Sequence, residues 1–230
     1  MNALMHHPSE DTLLAYAAGT LDEAASILVA THLALCPECR DVIAVAEAVG
    51  GELIEAMQPS ATVSTSFDDV MLLVAGVKTA AADTTELRSD IRFDPAANSN
   101  HADPLLPQPL RTYIPGGAES LQWRWMGPGV RYAAVLEADD GAKVGLMRIA
   151  SGTRMPHHGH SDEEFTMVLA GGYRDSFGSY RRGDVETAGT DTLHQPVADN
   201  DGDCICLVVT RGELKPTGLF ARMLQPLMRM

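Results

Sequence analysis

His32, Cys36 and Cys39 form an H-x-x-x-C-x-x-C run, three soft or borderline ligands within eight residues. On a helix His32 and Cys36, four apart, share one face. Cys39 follows Pro37 and Glu38, where one helix can end and another begin. A Cys-x-x-Cys turn at such a junction sets two thiolates at the spacing of a tetrahedral metal. His6 or His7, just ahead of the first helix, can supply a fourth ligand, giving a closed His₂Cys₂ zinc site of the structural type. The competing readings are a redox pair or plain buried thiols. A thioredoxin-like pair belongs in a βαβ pattern, and no strand-like run precedes this one.

A second constellation lies more than a hundred residues on. His158 and His160 are two apart, so on an extended segment both point to one face. Glu164 follows at the start of the next strand, and His194 lies beyond a turn at Gly183-Asp184-Val185. Three imidazoles and a carboxylate converging inside a barrel suit zinc or another divalent first-row metal. Without a metal, burying them together is costly. Glu163 could replace Glu164, and His157 a neighbour; the bland reading is a cluster of surface loop histidines. Cys204 and Cys206 share one strand face with Val208, either as small core residues or as thiols near the barrel metal and open to oxidation.

Elements of two kinds must position these groups. Ser9 is a plausible N-cap with Glu10 and Asp11 behind it, and the stripe Leu13, Leu14, Ala17, Ala18 stops at Gly19. Asp22 can cap a second helix carrying Ile27, Leu28, His32 and Leu35. A third starts near Pro37 and runs through Val42, Val45, Val49, Leu53 and Met57, with Gly50 and Gly51 marking a kink or close packing. Asp68 or Asp69 could cap a short fourth helix, Val70 to Val77. Its Met71-Leu-Leu-Val74 run is apolar all round, so it either folds back on the other helices or is covered by a partner.

Residues 79–108 read as a linker rich in turn formers. From Leu110 onward short β-branched and aromatic runs alternate with Gly, Pro and Asp turns: 121–126, 131–136, 143–149, 165–169 and 204–209. That spacing predicts a sandwich or barrel. The expected fold class is multidomain α + β: a helical zinc-binding part of three to four helices over 1–78, and an antiparallel β-barrel or jelly roll over 109–230.

Composition narrows the function. Of the net charge of −14, residues 1–78 carry −9, with eleven acids and two bases. That opposes direct nucleic-acid binding, which needs cations facing phosphates, and suits docking onto a basic partner. No apolar run reaches 18 residues, so no membrane span is expected. The N-terminus lacks the layout of a signal peptide. With four cysteines, at least two of them metal-like, the chain reads as reduced and cytoplasmic.

Gly152, His158, His160, Glu164 and Gly171 match the cupin motif G-x5-H-x-H-x3-E-x6-G. The second cupin motif is partial: its histidine looks like His194, but the expected Pro-x-Gly reads Gly189-Thr190-Asp191. The N-terminal run resembles the zinc-binding anti-sigma domain, and the stretch HHPSEDTLLAYAAGTL from His6 to Leu21 resembles the start of that family closely. Taken together, the chain resembles a ChrR-type anti-sigma factor over nearly its whole length. The resemblance implies an N-terminal domain that sequesters an extracytoplasmic-function sigma factor one-to-one, with zinc held by His7, His32, Cys36 and Cys39. It implies a cupin domain needed for the transcriptional response to singlet oxygen, with ligands at His158, His160, Glu164 and His194. The chain would be a regulator rather than an enzyme. The rivals are a metal-dependent cupin enzyme such as a dioxygenase or isomerase, and a metal or redox sensor with a different partner.

Overall fold

The computed structural model describes residues 4–58, 66–74, 103–212 and 214–216. Helices α1 (Glu10–Ala17), α2 (Glu23–Leu33) and α3 (Pro37–Ala56) open the chain. The Ser9 hydroxyl accepts from Thr12 N–H at 3.2 Å, and Asp22 caps α2 by accepting from Ala25 N–H at 3.0 Å. Hydrogen bonds from Gly19 N–H to Tyr16 O and from Thr20 N–H to Ala15 O close α1 in a Schellman motif.

Helix α3 continues through Gly50 and Gly51, and a Cβ on either would meet nothing within 4 Å. Of the kink or close packing expected there, close packing is not found among the described residues.

The chain divides into a unit of residues 1–50 and 103–230 and a second unit, 51–102. Within the second unit lies α4, residues 67–74. Its cap is Ser66 rather than Asp68 or Asp69. Ser66 Oγ accepts from Asp69 N–H at 3.2 Å while the Asp69 carboxylate accepts from Ser66 N–H at 2.9 Å, a reciprocal capping box. That box starts the helix three residues earlier than apolar patterning suggests. The expected continuation to Val77, and linker residues 79–102, lie outside the described residues. Residues 103–108 belong to the first unit, where Leu106 is fully buried.

After α5 (Gln108–Tyr113) and a 3₁₀ turn (Ala118–Ser120) come twelve strands among the described residues. They are β1 (Arg124–Gly127), β2 (Val130–Glu137), β3 (Lys143–Ile149), β4 (His158–His160), β5 (Glu164–Ala170), β6 (Gly172–Arg174), β7 (Ser179–Arg181), β8 (Val185–Ala188), β9 (Leu193–His194), β10 (Val197–Ala198), β11 (Cys204–Thr210) and β12 (Leu214–Pro216). A six-stranded sheet has the order β1-β2-β3-β11-β5-β8, and two three-stranded sheets run β10-β6-β7 and β12-β4-β9. All the strand pairings are antiparallel. The α + β class expected from sequence holds, with helices first and a cupin-like sheet domain after them.

Strand alternation divides the core in two. Val144 and Leu146 on β3, Phe165, Met167 and Leu169 on β5, and Leu207 and Val209 on β11 face Ile27 and Leu28 of α2 and Leu110 of α5. Met147, Ile149, Val168, Cys204, Cys206 and Val208 turn to the opposite face and form the barrel interior. The central sheet is therefore covered on both faces. This accounts for its near-continuous apolar strands, a pattern that two-sided burial requires. Helix α2 is fastened at its start too: Arg211 binds both its cap Asp22 and Glu163, and Tyr113 OH of α5 donates to Glu23 at 3.2 Å.

Candidate metal centres

The first centre forms at the α2–α3 junction. Cys36 N–H still bonds His32 O at 2.9 Å, so the helical spacing of these residues survives beyond the end of α2. Cys39 is the third residue of α3, and its N–H donates to Cys36 Sγ at 3.4 Å. The helix N-terminus also favours negative charge at this point. Cys36 and Cys39 are buried and unpaired as a disulfide.

His7 completes the set. Its Nδ1 lies 3.4 Å from Cys36 Sγ and 3.3 Å from Cys39 Sγ, and His32 Nε2 lies 3.3 Å from Cys39 Sγ. Ligand bonds of 2.0–2.3 Å in a tetrahedron imply edges of roughly 3.3–3.8 Å, so the four atoms fit one ion. His6 faces elsewhere: its ring packs on Tyr180 at a centroid distance of 4.5 Å. The choice that sequence left open between the two histidines thus falls to His7 on geometry.

Each ring presents a free nitrogen for a physical reason. His32 is fully buried, and its Nδ1–H donates to Gly183 O at 2.8 Å, leaving the Nε2 lone pair toward the thiols. Burial holds the His32 pKa below its ordinary value, which keeps the ring neutral. Burial, with the Cys36 hydrogen bond second, pushes the Cys39 thiol up to about 12. A metal ion has to displace that proton.

The second centre lies inside the barrel. His158 and His160 sit on β4 and His194 on the paired strand β9, with His158 directly opposite His194. His194 Nε2 is 3.1 Å from His158 Nε2 and 3.2 Å from His160 Nε2. The back nitrogens are satisfied: His158 Nδ1–H donates to Pro156 O at 2.9 Å, and His194 Nδ1–H is shared between Asp175 at 2.8 Å and Glu186 at 3.2 Å. Three buried imidazoles with converging Nε2 atoms, two of them with their second nitrogens so bound, suit a divalent cation.

Glu164 is only partly brought in. It lines the same cavity, but its carboxylate lies 3.5 Å from His160 Nδ1, behind that ring, and accepts from Thr166. Glu163 points the other way and pairs with Arg211. The motif glycines have a backbone role: Gly152 and Gly171 adopt φ of +71° and +66°, and a Cβ on Gly171 would meet Asp203 O at 2.4 Å.

Asp175 and Glu186 escaped the sequence reading. Burial lowers the tendency of His194 to protonate, but the Glu186 and Asp175 hydrogen bonds and charges outweigh it and leave its pKa raised. The signal available for Glu186 was an acid in the short strand-like run Val185-Glu-Thr-Ala188. Asp175, in a turn, carried none. Burial pushes the His158 pKa down to about 4. The cavity, roughly 450 Å³ with its open mouth, is also lined by Met147, Tyr173 and Cys206. Cys206 Sγ lies 3.5 Å from Cys204 Sγ. Both thiols are buried core residues, and Cys206 also lines the cavity of the candidate centre.

Both segments match known families: residues 10–40 a putative zinc-finger, and residues 116–214 the ChrR cupin-like domain. Anti-sigma-E factor ChrR of Cereibacter sphaeroides is 38% identical over 226 residues, covering 98% of this chain and 99% of that one. The chain belongs to the ChrR family of anti-sigma factors. The crystal structure of Rhodobacter sphaeroides SigE in complex with the anti-sigma ChrR is also similar, with a TM-score of 0.70 at 37% identity over 90% of this chain and 98% of that one. In this ChrR relative the three barrel histidines lie within the cupin-like segment, and His32, Cys36 and Cys39 lie within the zinc-finger segment, with His7 just ahead of it. Among the described residues no helix is long and apolar enough to cross a membrane.

Proposed function

We propose that this chain binds an extracytoplasmic-function sigma factor one-to-one and withholds it from polymerase. The observation that carries the reading is the match to a ChrR anti-sigma factor along almost the full length of both chains. Exposed apolar side chains in each of the two units support it. The α3 residues Val45, Val49, Leu53 and Ile54 are exposed, as are Phe67, Leu72 and Leu73 of α4. Apolar helix faces left in water this way mark interaction surfaces. Inhibition requires only that these faces cover the sigma factor's own contact surfaces.

On this reading residues 1–78 are the sigma-binding part, 79–108 the connection and 109–230 the cupin-like domain. Zinc at His7, His32, Cys36 and Cys39 staples helices with little core of their own. His158, His160 and His194, with Glu164 able to swing in as a fourth ligand, hold zinc or a similar divalent ion. An oxidative signal such as singlet oxygen, sensed at the barrel, releases the sigma factor. The chain works in the cytoplasm and as a regulator rather than an enzyme.

The test is co-purification of full-length chain with the sigma factor. One-to-one recovery is expected, lost in Val45→Asp/Val49→Asp, whose sites face solvent. Undiminished recovery with that variant would remove α3 from the interface, and no complex with the unaltered chain would remove the function.

A further inference from the structure

The turn between β7 and β8, together with the strand residues that flank it, touches both centres. We propose that this turn, residues 181–186, couples them, so that a metal held at His158, His160 and His194 strengthens metal binding at His7, His32, Cys36 and Cys39. The inference rests on the function proposed above and supplies the route by which the barrel's state reaches the helical part.

Four contacts hold the N-terminal centre to this turn. Gly183 O accepts from the ligand His32 at 2.8 Å. Val185 N–H donates to His6 O at 3.1 Å, one residue before the ligand His7. Asp184 Oδ1 accepts from Met5 N–H at 2.8 Å and His6 N–H at 3.1 Å. Its other oxygen accepts from Arg181 N–H at 2.9 Å, which fixes the carboxylate within the turn. Asp184 is buried, so loss of this clasp would leave a charge without its hydrogen bonds.

The same turn reaches the barrel centre within two residues. Val185 packs outward in the core beneath α2, and alternation sends Glu186 inward. Glu186 Oε1 is 3.2 Å from His194 Nδ1, and its other oxygen accepts from Tyr173 OH at 2.5 Å. The turn is tied to β5 as well, by Gly183 N–H to Val168 O at 2.8 Å and Val168 N–H to Asp184 O at 3.1 Å. A displacement of His194 therefore reaches the Gly183 carbonyl through a short, hydrogen-bonded stretch of strand. Coupling of this kind is reciprocal in binding free energy.

Cobalt(II) is the probe, added to full-length chain, because thiolate-to-cobalt absorption reports the cysteine-containing centre. Competition with a chelator gives its affinity with the barrel site intact and with that site removed by His158→Ala/His160→Ala. The comparison is repeated in Asp184→Ala and in Glu186→Ala. Glu186→Ala keeps the Asp184 clasp and leaves Asp175 to accept from His194, so it decides the matter if Asp184→Ala does not fold. Removing the barrel site is expected to weaken the cysteine centre at least about fivefold in the unaltered background and less than about twofold in the other two. An equal loss in every background, or no loss in the first, overturns the coupling. Sigma-factor binding by the same proteins is scored separately. A complex that persists while coupling fails removes only this inference, whereas absence of a complex removes the function itself.

Discussion

His158 shows how burial sets the chemistry of one side chain. Its pKa falls from 6.5 to about 4 because burial disfavours the imidazolium, with the Pro156 carbonyl opposing. The folded, metal-free protein therefore takes up this proton at lower pH than the unfolded chain does. The stability so contributed is present above the unfolded pKa and is lost as pH falls from about 6.5 toward 4. Chelator-treated protein is expected to lose up to about 3 kcal/mol over that window. Urea unfolding at pH 7 and pH 4.5 measures it, and His158→Gln should remove much of the difference. Cys39 behaves in the opposite sense. Its thiol stays protonated up to about 12 in the metal-free fold. Cobalt affinity at that centre should therefore fall at least about tenfold per unit as pH drops from 8 to 6, because uptake expels this proton. A flat profile in chelator competition would show that Cys39 is not a ligand.

Helix α2 illustrates what elements contribute. Leu28 is fully buried among Leu110, Leu146 and Leu207. Leu28→Ala is expected to cost about 2–5 kcal/mol of stability. Val45→Asp on α3, at 67% exposure, should change stability by less than about 0.5 kcal/mol. Thermal unfolding separates the two cases, and a costly Val45→Asp would mean that α3 is already covered within the chain. Helix caps at Ser9 and Asp22, and the longer strands, were legible because local signals of capping and alternation fix them. The short strands β6, β9 and β10 were not, since two or three residues hold no periodicity. Docking of α2 on the barrel was also missed, although the unbroken apolar runs 165–169 and 204–209 carried its signature. His32, Cys36, Cys39 and the three barrel histidines announced themselves by type and spacing, as did the need for one of His6 and His7. Choosing His7 over His6, and finding Asp175 and Glu186, required the tertiary contacts that bring residues 4–7 to the β7–β8 turn.

At the scale of the whole molecule, charge and apolar exposure are divided between functions. Residues 1–78 carry −9 of the net −14 and include the exposed valines and leucines of α3 and α4. An acidic segment that also exposes apolar side chains fits a basic partner, with attraction at long range and apolar burial at contact. Raising salt from 0.05 to 0.5 M should slow association with the sigma factor by an order of magnitude or so while changing dissociation less. Stopped-flow mixing would read this, and equal effects on both rates would argue against electrostatic steering. The barrel adds a cavity with three convergent imidazoles, placed two residues from a turn that also holds His32.

The central claim is that the chain disables a sigma factor by stoichiometric binding. Transcription in vitro from a promoter dependent on that sigma factor, with purified polymerase and increasing amounts of this protein, tests it most directly. Synthesis is expected to fall linearly and to end near one equivalent of the protein per sigma factor, and Cys36→Ser/Cys39→Ser should lose the effect. Transcription that continues unchanged at several equivalents of folded, metal-loaded protein would contradict it.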